Sequence, residues 1–164
     1  MKNSKKSGFS LIEILVVLGI VGIFTSFITP KISNYMSVAK DTKVVSTLQN
    51  LRTASEIYYF TESEALGKGK LEGNLTETEL DLLKPYISGG VKELAKNKDA
   101  NGEIILEIGG SRATEEADVV YGGKIKFTFK APDDEKSDGI NIWIVPADET
   151  VGDYNIKGIK WTEL

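Results

Sequence analysis

Acidic side chains at two places in the 164-residue chain could do chemistry. Asp133, Asp134, Glu135 and Asp138 crowd the stretch before Gly139, with Asp148 and Asp153 in the following loop. Hard carboxylate oxygens at short spacing suit Ca²⁺, so Asp133, Asp134 and Asp138 are weak calcium candidates. The run does not follow the EF-hand loop pattern, and Asp-Gly supplies the left-handed geometry of a hairpin turn. A solvated turn is therefore the favoured reading, and no cofactor is expected. The other place is Glu13, the only charged residue in the 21 positions Phe9–Thr29.

A carboxylate in an apolar helix of bilayer length costs about 2.5–3.5 kcal/mol on insertion scales. Glu13 lies only about 6 Å of helix beyond Phe9, where the macrodipole favours an anion by about 0.3–1 kcal/mol. That offsets part of the cost, and snorkelling to the lipid surface would offset more. A cationic partner inside the apolar layer is the sharper reading. Cleavage after Gly8 would provide one, because the new α-amine of Phe9 has a reference pKa of about 7.7–8.0. The amine could belong to the same chain or to a neighbour, and a neighbour's would set helix register.

The chain has no His and no Cys. Ser-His-Asp and Cys-His nucleophile systems, imidazole and thiolate metal sites, and thiol redox pairs are excluded, as are disulfides. Carboxylate pairs exist by number, but no spacing selects one and no His can serve as base. An enzyme is not expected. Twenty basic and 24 acidic residues leave a net charge of −4, which gives no general attraction to nucleic acid.

Fourteen of the 21 residues Phe9–Thr29 are apolar, and as a helix they reach about 31 Å, a bilayer's hydrocarbon thickness. Lys2, Lys5 and Lys6 precede the run, and the positive-inside rule keeps them cytoplasmic. The expected topology is a single pass of the cytoplasmic membrane, N-terminus inside and body outside. A secretory signal peptide fits poorly, because the run exceeds the usual apolar length and Ser37-Val38-Ala39, the nearest small-x-small site, lies beyond Pro30.

The stretch Lys5-Lys6-Ser7-Gly8-Phe9-Ser10-Leu11-Ile12-Glu13-Ile14-Leu15-Val16-Val17-Leu18-Gly19-Ile20 resembles the N-terminus of type IV pilins and type II secretion pseudopilins. The resemblance covers about the first 30 residues. It implies that a prepilin peptidase removes residues 1–8 between Gly8 and Phe9 and that Phe9 becomes N-methylphenylalanine. Glu13 becomes the assembly residue that pairs with the amine of an adjacent subunit, and methylation keeps that amine positive. Gly22 and Pro30 match positions bounding a segment that can lose helicity on assembly. The implied partners are copies of the chain in a filament, the prepilin peptidase and an inner-membrane assembly platform. Major pseudopilins hold calcium in a C-terminal loop, whereas many pilins close that region with a disulfide, which is excluded here. Removing the leader takes away three basic residues, so 17 minus 24 leaves −7.

The expected organisation is a leader at 1–8, an assembly helix at 9–29, its amphipathic continuation at 30–60 and a soluble body at 61–164. Val44, Leu48, Leu51, Ser55 and Tyr58 form a helical stripe, with Lys40, Asp41, Lys43, Arg52 and Glu56 mostly off it. We expect one helix from Phe9 to Phe60, interrupted or bent near Pro30 and weakened by Gly19 and Gly22. Residues 61–74 read as a loop. Thr76 and Glu79 make a capping box, Leu75 and Leu80 a staple, and a helix runs from Glu77 to Lys84 before Pro85. Gly89-Gly90 and Asn101-Gly102 mark turns. Strands are expected at Glu103–Ile108, at Lys124–Lys130, at Ile140–Val145 as a central strand, and around Ile159 and Trp161 as the last. The fold class is α+β: a long N-terminal helix packed on a small C-terminal antiparallel sheet.

Function divides between a type IV pilus-like filament subunit and a type II secretion or competence pseudopilin. Glu13 favours a subunit packed within the filament, since some tip-located pseudopilins lack it. A non-polymerising membrane-anchored extracytoplasmic domain is the remote alternative.

Overall fold

A computed structural model describes residues 9–69, 73–87, 94–132 and 137–164. Helix α1 spans Leu11–Glu62 without interruption, with Pro30 inside it. Of the two alternatives expected at Pro30, an interruption or a bend, the interruption is therefore corrected. Proline removes one backbone bond, while hydroxyls around it bond back along the helix. Thr29 Oγ1 donates to the Thr25 carbonyl at 2.8 Å and Ser26 Oγ to that of Ile23 at 2.7 Å.

The chain divides into two compact units between Met36 and Ser37. In the first, every described residue from Phe9 to Met36 is exposed. It holds the one stretch among the described residues long and apolar enough to cross a membrane.

The second unit is built on the amphipathic part of α1. Val44, Leu48, Leu51 and Ser55 are all buried, as the 3.6-residue period requires, and Tyr58 packs beside them. Asp41 is buried too, at 6% exposure, which corrects its expected place off the stripe. It sits three residues before Val44, on the same face.

Two three-stranded antiparallel sheets follow. The first has order β1-β4-β5, made of Ile105–Glu107, Lys124–Thr128 and Trp143–Pro146. Leu106 stands opposite Ile125, and Phe127 opposite Ile144. Alternation along β4 buries Ile125 and Phe127, and Phe129 continues the same face. Each such side chain contributes about 1.5–3 kcal/mol. The second sheet has order β3-β2-β6, from Val120–Tyr121, Gly110–Arg112 and Tyr154–Asn155. β2 and β3 are thus inserted between two neighbouring strands of the first sheet.

Two strand expectations need correction. Ile140–Val145 is not central: β4 occupies the middle and β5 an edge, because among the described residues β5 pairs with β4 alone. The last segment is no strand either. Lys160 makes a single bridge to Tyr154, and Trp161–Glu163 winds into a 3₁₀ turn that buries Trp161.

Helix α2 spans Glu77–Leu83 with Thr76 at its N-cap. The Thr76 amide donates to Glu79 Oε2 at 3.0 Å, and Leu75 and Leu80 are fully buried. The Asn101-Gly102 turn is closed by the Gly102 amide on the Asp99 carbonyl at 3.1 Å. Gly89-Gly90 lies outside the described residues.

Candidate assembly site

The start of α1 presents Glu13 in a closed local arrangement. Ser10, just before the first helical residue, donates its amide to Glu13 Oε2 at 2.7 Å. The Glu13 amide donates to Ser10 Oγ at 3.3 Å. This is a reciprocal capping box, which satisfies two of the donors a helix start leaves open. It also gives a carboxylate in an apolar segment a hydrogen-bond donor from its own chain. Among the described residues Oε1 takes no donor, so one oxygen stays available to a cation. Phe9, 86% exposed, sits one residue before the cap, whereas Gly8 lies outside the described residues.

The Ser-x-x-Glu spacing is the signal already recognised at Thr76–Glu79. The same spacing is legible in the sequence at Ser10–Glu13. At Gly22 an added Cβ would meet nothing within 4 Å, so packing within one chain does not require glycine there. Pro30 sits among the Thr25, Ser26 and Thr29 hydroxyls of an unbroken helix.

The acidic cluster is only partly described. Asp133, Asp134 and Glu135 lie outside the described residues. Asp138 Oδ1 accepts the amides of Ile140 and Asn141, both at 2.8 Å, and Gly139 has φ +70°, so this end forms an Asx-type turn. Asp148 Oδ1 is engaged in the same way by the Thr150 amide at 2.9 Å and by its hydroxyl. These bonds hold the Asp148 carboxyl below the usual range, against a smaller burial effect. Asp153 is exposed. Among the described residues no group of three or more acidic side chains gathers to hold a metal.

A second constellation was not anticipated. Three polar side chains of α1 reach distant parts of the body. Asp41 Oδ1 accepts the Gly109 amide at 2.8 Å and Oδ2 that of Ile156 at 3.4 Å. Burial pushes its carboxyl above the ordinary range, opposed by the Gly109, Ile156 and Gly110 amides and by Lys157. Arg52 donates to the carbonyls of Ile142 at 2.7 Å and Leu164 at 2.6 Å. Its guanidinium is lowered by burial and supported by Glu56. Ser55 Oγ donates to the Ile140 carbonyl at 2.6 Å. These contacts join residues 85 to 115 positions apart, apart from the Asp41–Gly109 bond at 68. They organise the body rather than perform chemistry.

An exposed apolar helix with a capped acidic residue near its start, carrying a small α+β body, defines a class of membrane-anchored subunit. The description "Prokaryotic N-terminal methylation motif" matches residues 3–29. Over 174 aligned residues the chain is 34% identical to the type II secretion system core protein G of Aeromonas hydrophila, covering 98% of this chain and 100% of that one. It is 31% identical to the Vibrio cholerae core protein G over 66% of this chain and 75% of that one. It is also 29% identical to the type IV major fimbrial protein FimA of Dichelobacter nodosus, over 69% and 77% respectively. No solved structure gives a significant match. The chain belongs to the type IV pilin and type II secretion pseudopilin family. The relatives are structural filament proteins rather than enzymes, and they fit a membrane-anchored chain.

Proposed function

We propose that this chain is a structural subunit of a type IV pilus-like filament, held in the cytoplasmic membrane before assembly and outside the cell envelope's inner barrier afterwards. Prepilin peptidase cuts between Gly8 and Phe9, Phe9 is N-methylated, and copies polymerise through α1 on an inner-membrane platform. The observation that carries this reading is the lone carboxylate of Glu13 in a helix stretch whose apolar side chains are all exposed. Such a surface needs lipid or other helices around it. The Glu13 charge then has a use if a neighbour's Phe9 amine meets it.

A second role within the family, a type II secretion pseudopilin, is favoured by the end-to-end similarity to the Aeromonas core protein G. The fimbrial relative matches over a smaller share of the chain. The two roles separate by what is lost when the chain is deleted: surface fibres in one case, export of folded proteins in the other.

The processing claim is tested by intact mass and N-terminal fragment spectra of the native protein from cells with prepilin peptidase. The expected first residue is a methylated Phe9. A retained leader or another first residue would sink the claim. A correctly cut chain that stays wholly in the membrane fraction would favour the non-polymerising anchor instead.

A further inference from the structure

The last residues of the body, 148–164, are bonded chiefly to themselves. The Trp161 indole donates to the Gly152 carbonyl at 3.1 Å, and its amide to the Asp153 carbonyl at 3.0 Å. The Asn155 amide donates to the Ile159 carbonyl at 2.8 Å. Asn155 Oδ1 accepts the Lys157 and Ile159 amides at 2.9 and 3.0 Å. A segment closed in this way keeps its internal bonds when its outer ones break, as a cooperative unit of local opening would.

Its ties to the rest are of another kind. Two residue pairs join β6 to β2, the Gly152 amide donates to Ser111 Oγ at 2.9 Å, and Arg52 of α1 donates to the Leu164 carbonyl at 2.6 Å. Ile156 is gripped from both sides by charged groups: Asp41 takes its amide, and Arg112 Nε donates to its carbonyl at 2.9 Å. Between α1 and this segment lies a cavity of about 190 Å³, walled by Val38, Thr42 and Val45 on the helix and by Ile159 and Leu164 opposite. Thr42 and Ile159 are exposed, so this groove opens to solvent along the seam. Trp161 and Val151 are its buried apolar anchors.

We propose that residues 148–164 form a strap that opens from α1 as a unit, with Asp41 and Arg52 as its clasps on the helix, while the β1-β4-β5 sheet stays folded. Without cysteine no disulfide can close this region, and the charged side chains of Asp41, Arg52 and Arg112 bond to it instead. Asp41 acts here as a positioning residue, since it holds Gly109 and Ile156 to one helix turn.

Amide hydrogen exchange on the full chain in detergent micelles tests this. Asp41→Asn keeps an acceptor for Gly109 but turns an NH₂ group toward the Ile156 amide. The expected result is at least tenfold faster exchange in residues 151–164, with 105–107 and 124–128 unchanged. Equal acceleration across the body would overturn the strap, and so would no acceleration. Should Asp41→Asn fail to fold, Arg112→Lys, which keeps the charge but loses the Nε donor, is read by the same criterion.

Discussion

Gly109 approaches α1 so closely that a Cβ built on it would lie 2.0 Å from the carbonyl oxygen of Ser37. Asp41, one turn further along the helix, takes the Gly109 amide. Backbone contact and buried acceptor together fix where the β1–β2 turn meets the helix. The three nearest obstructing atoms are all Ser37 backbone, so no side chain can swing aside. Gly109→Ala is expected to lower stability by about 1–3 kcal/mol or more, the range for overpacking a tight site. Thermal or denaturant unfolding of the full chain in detergent checks this, with Gly102→Ala as a comparison for strain at positive φ in open space.

Glu13→Ala is expected to abolish entry into filaments while leaving membrane insertion and the folded body intact. Its removal eliminates the insertion cost of about 2.5–3.5 kcal/mol, so the membrane-bound pool should not shrink. Fractionation of cells into sheared filaments and membranes, followed by immunoblotting, gives the answer. Normal filaments from this variant would refute the role of Glu13.

Two carboxylates of the body should show opposite pH signatures. Burial raises Asp41, so the folded chain holds its proton at a pH where the unfolded chain has released it. Stability on this account falls as pH rises from the ordinary carboxylate range through the raised value, and the penalty is complete above it. Asp99 differs. Burial pushes it up, but the Glu103 and Asn101 amides and Lys126 outweigh that and lower it overall. Its contribution is present above the ordinary range and lost as pH falls through the lowered value. Melting curves between pH 3 and 7 should therefore change slope in opposite directions in Asp41→Asn and Asp99→Asn.

Calcium is expected to leave the melting midpoint of the full chain unchanged. Asp138 and Asp148 already spend Oδ1 on neighbouring amides, and a solvated turn needs no ion. A midpoint that rises with calcium concentration and returns with chelator would reinstate the cation, since a ligand bound to the folded state raises stability with its concentration.

The long helix was legible because apolar residues recur at its period, and Glu13 because a charge in an oily run is expensive. Helix α2 followed from Thr76, Glu79 and Pro85, three residues that act locally. Asp41 escaped for the opposite reason. Its partners Gly109 and Ile156 lie 68 and 115 residues away, and a charge beside an apolar stripe reads as solvent-facing until something distant covers it. The strands β2, β3 and β6 have only two or three residues each, too few for alternation to register. Ile159 and Trp161 flank a lysine as strand residues would, yet Trp161 turns inward on a 3₁₀ turn because the Asp153 and Gly152 carbonyls capture its two N–H groups.

The exposed stretch from Phe9 has a consequence for how the subunit can travel. Moving its 14 apolar side chains through Thr29 into water would cost on the order of 20–40 kcal/mol at 1.5–3 kcal/mol each. No binding event of ordinary strength repays that, so a free aqueous monomer is not a stop on any route. Under the proposed function, each copy leaves lipid only by trading it, contact for contact, for equally oily surfaces. The bilayer is then a reservoir, and the filament growth proposed above is a phase transfer between two oils that never wets the helix.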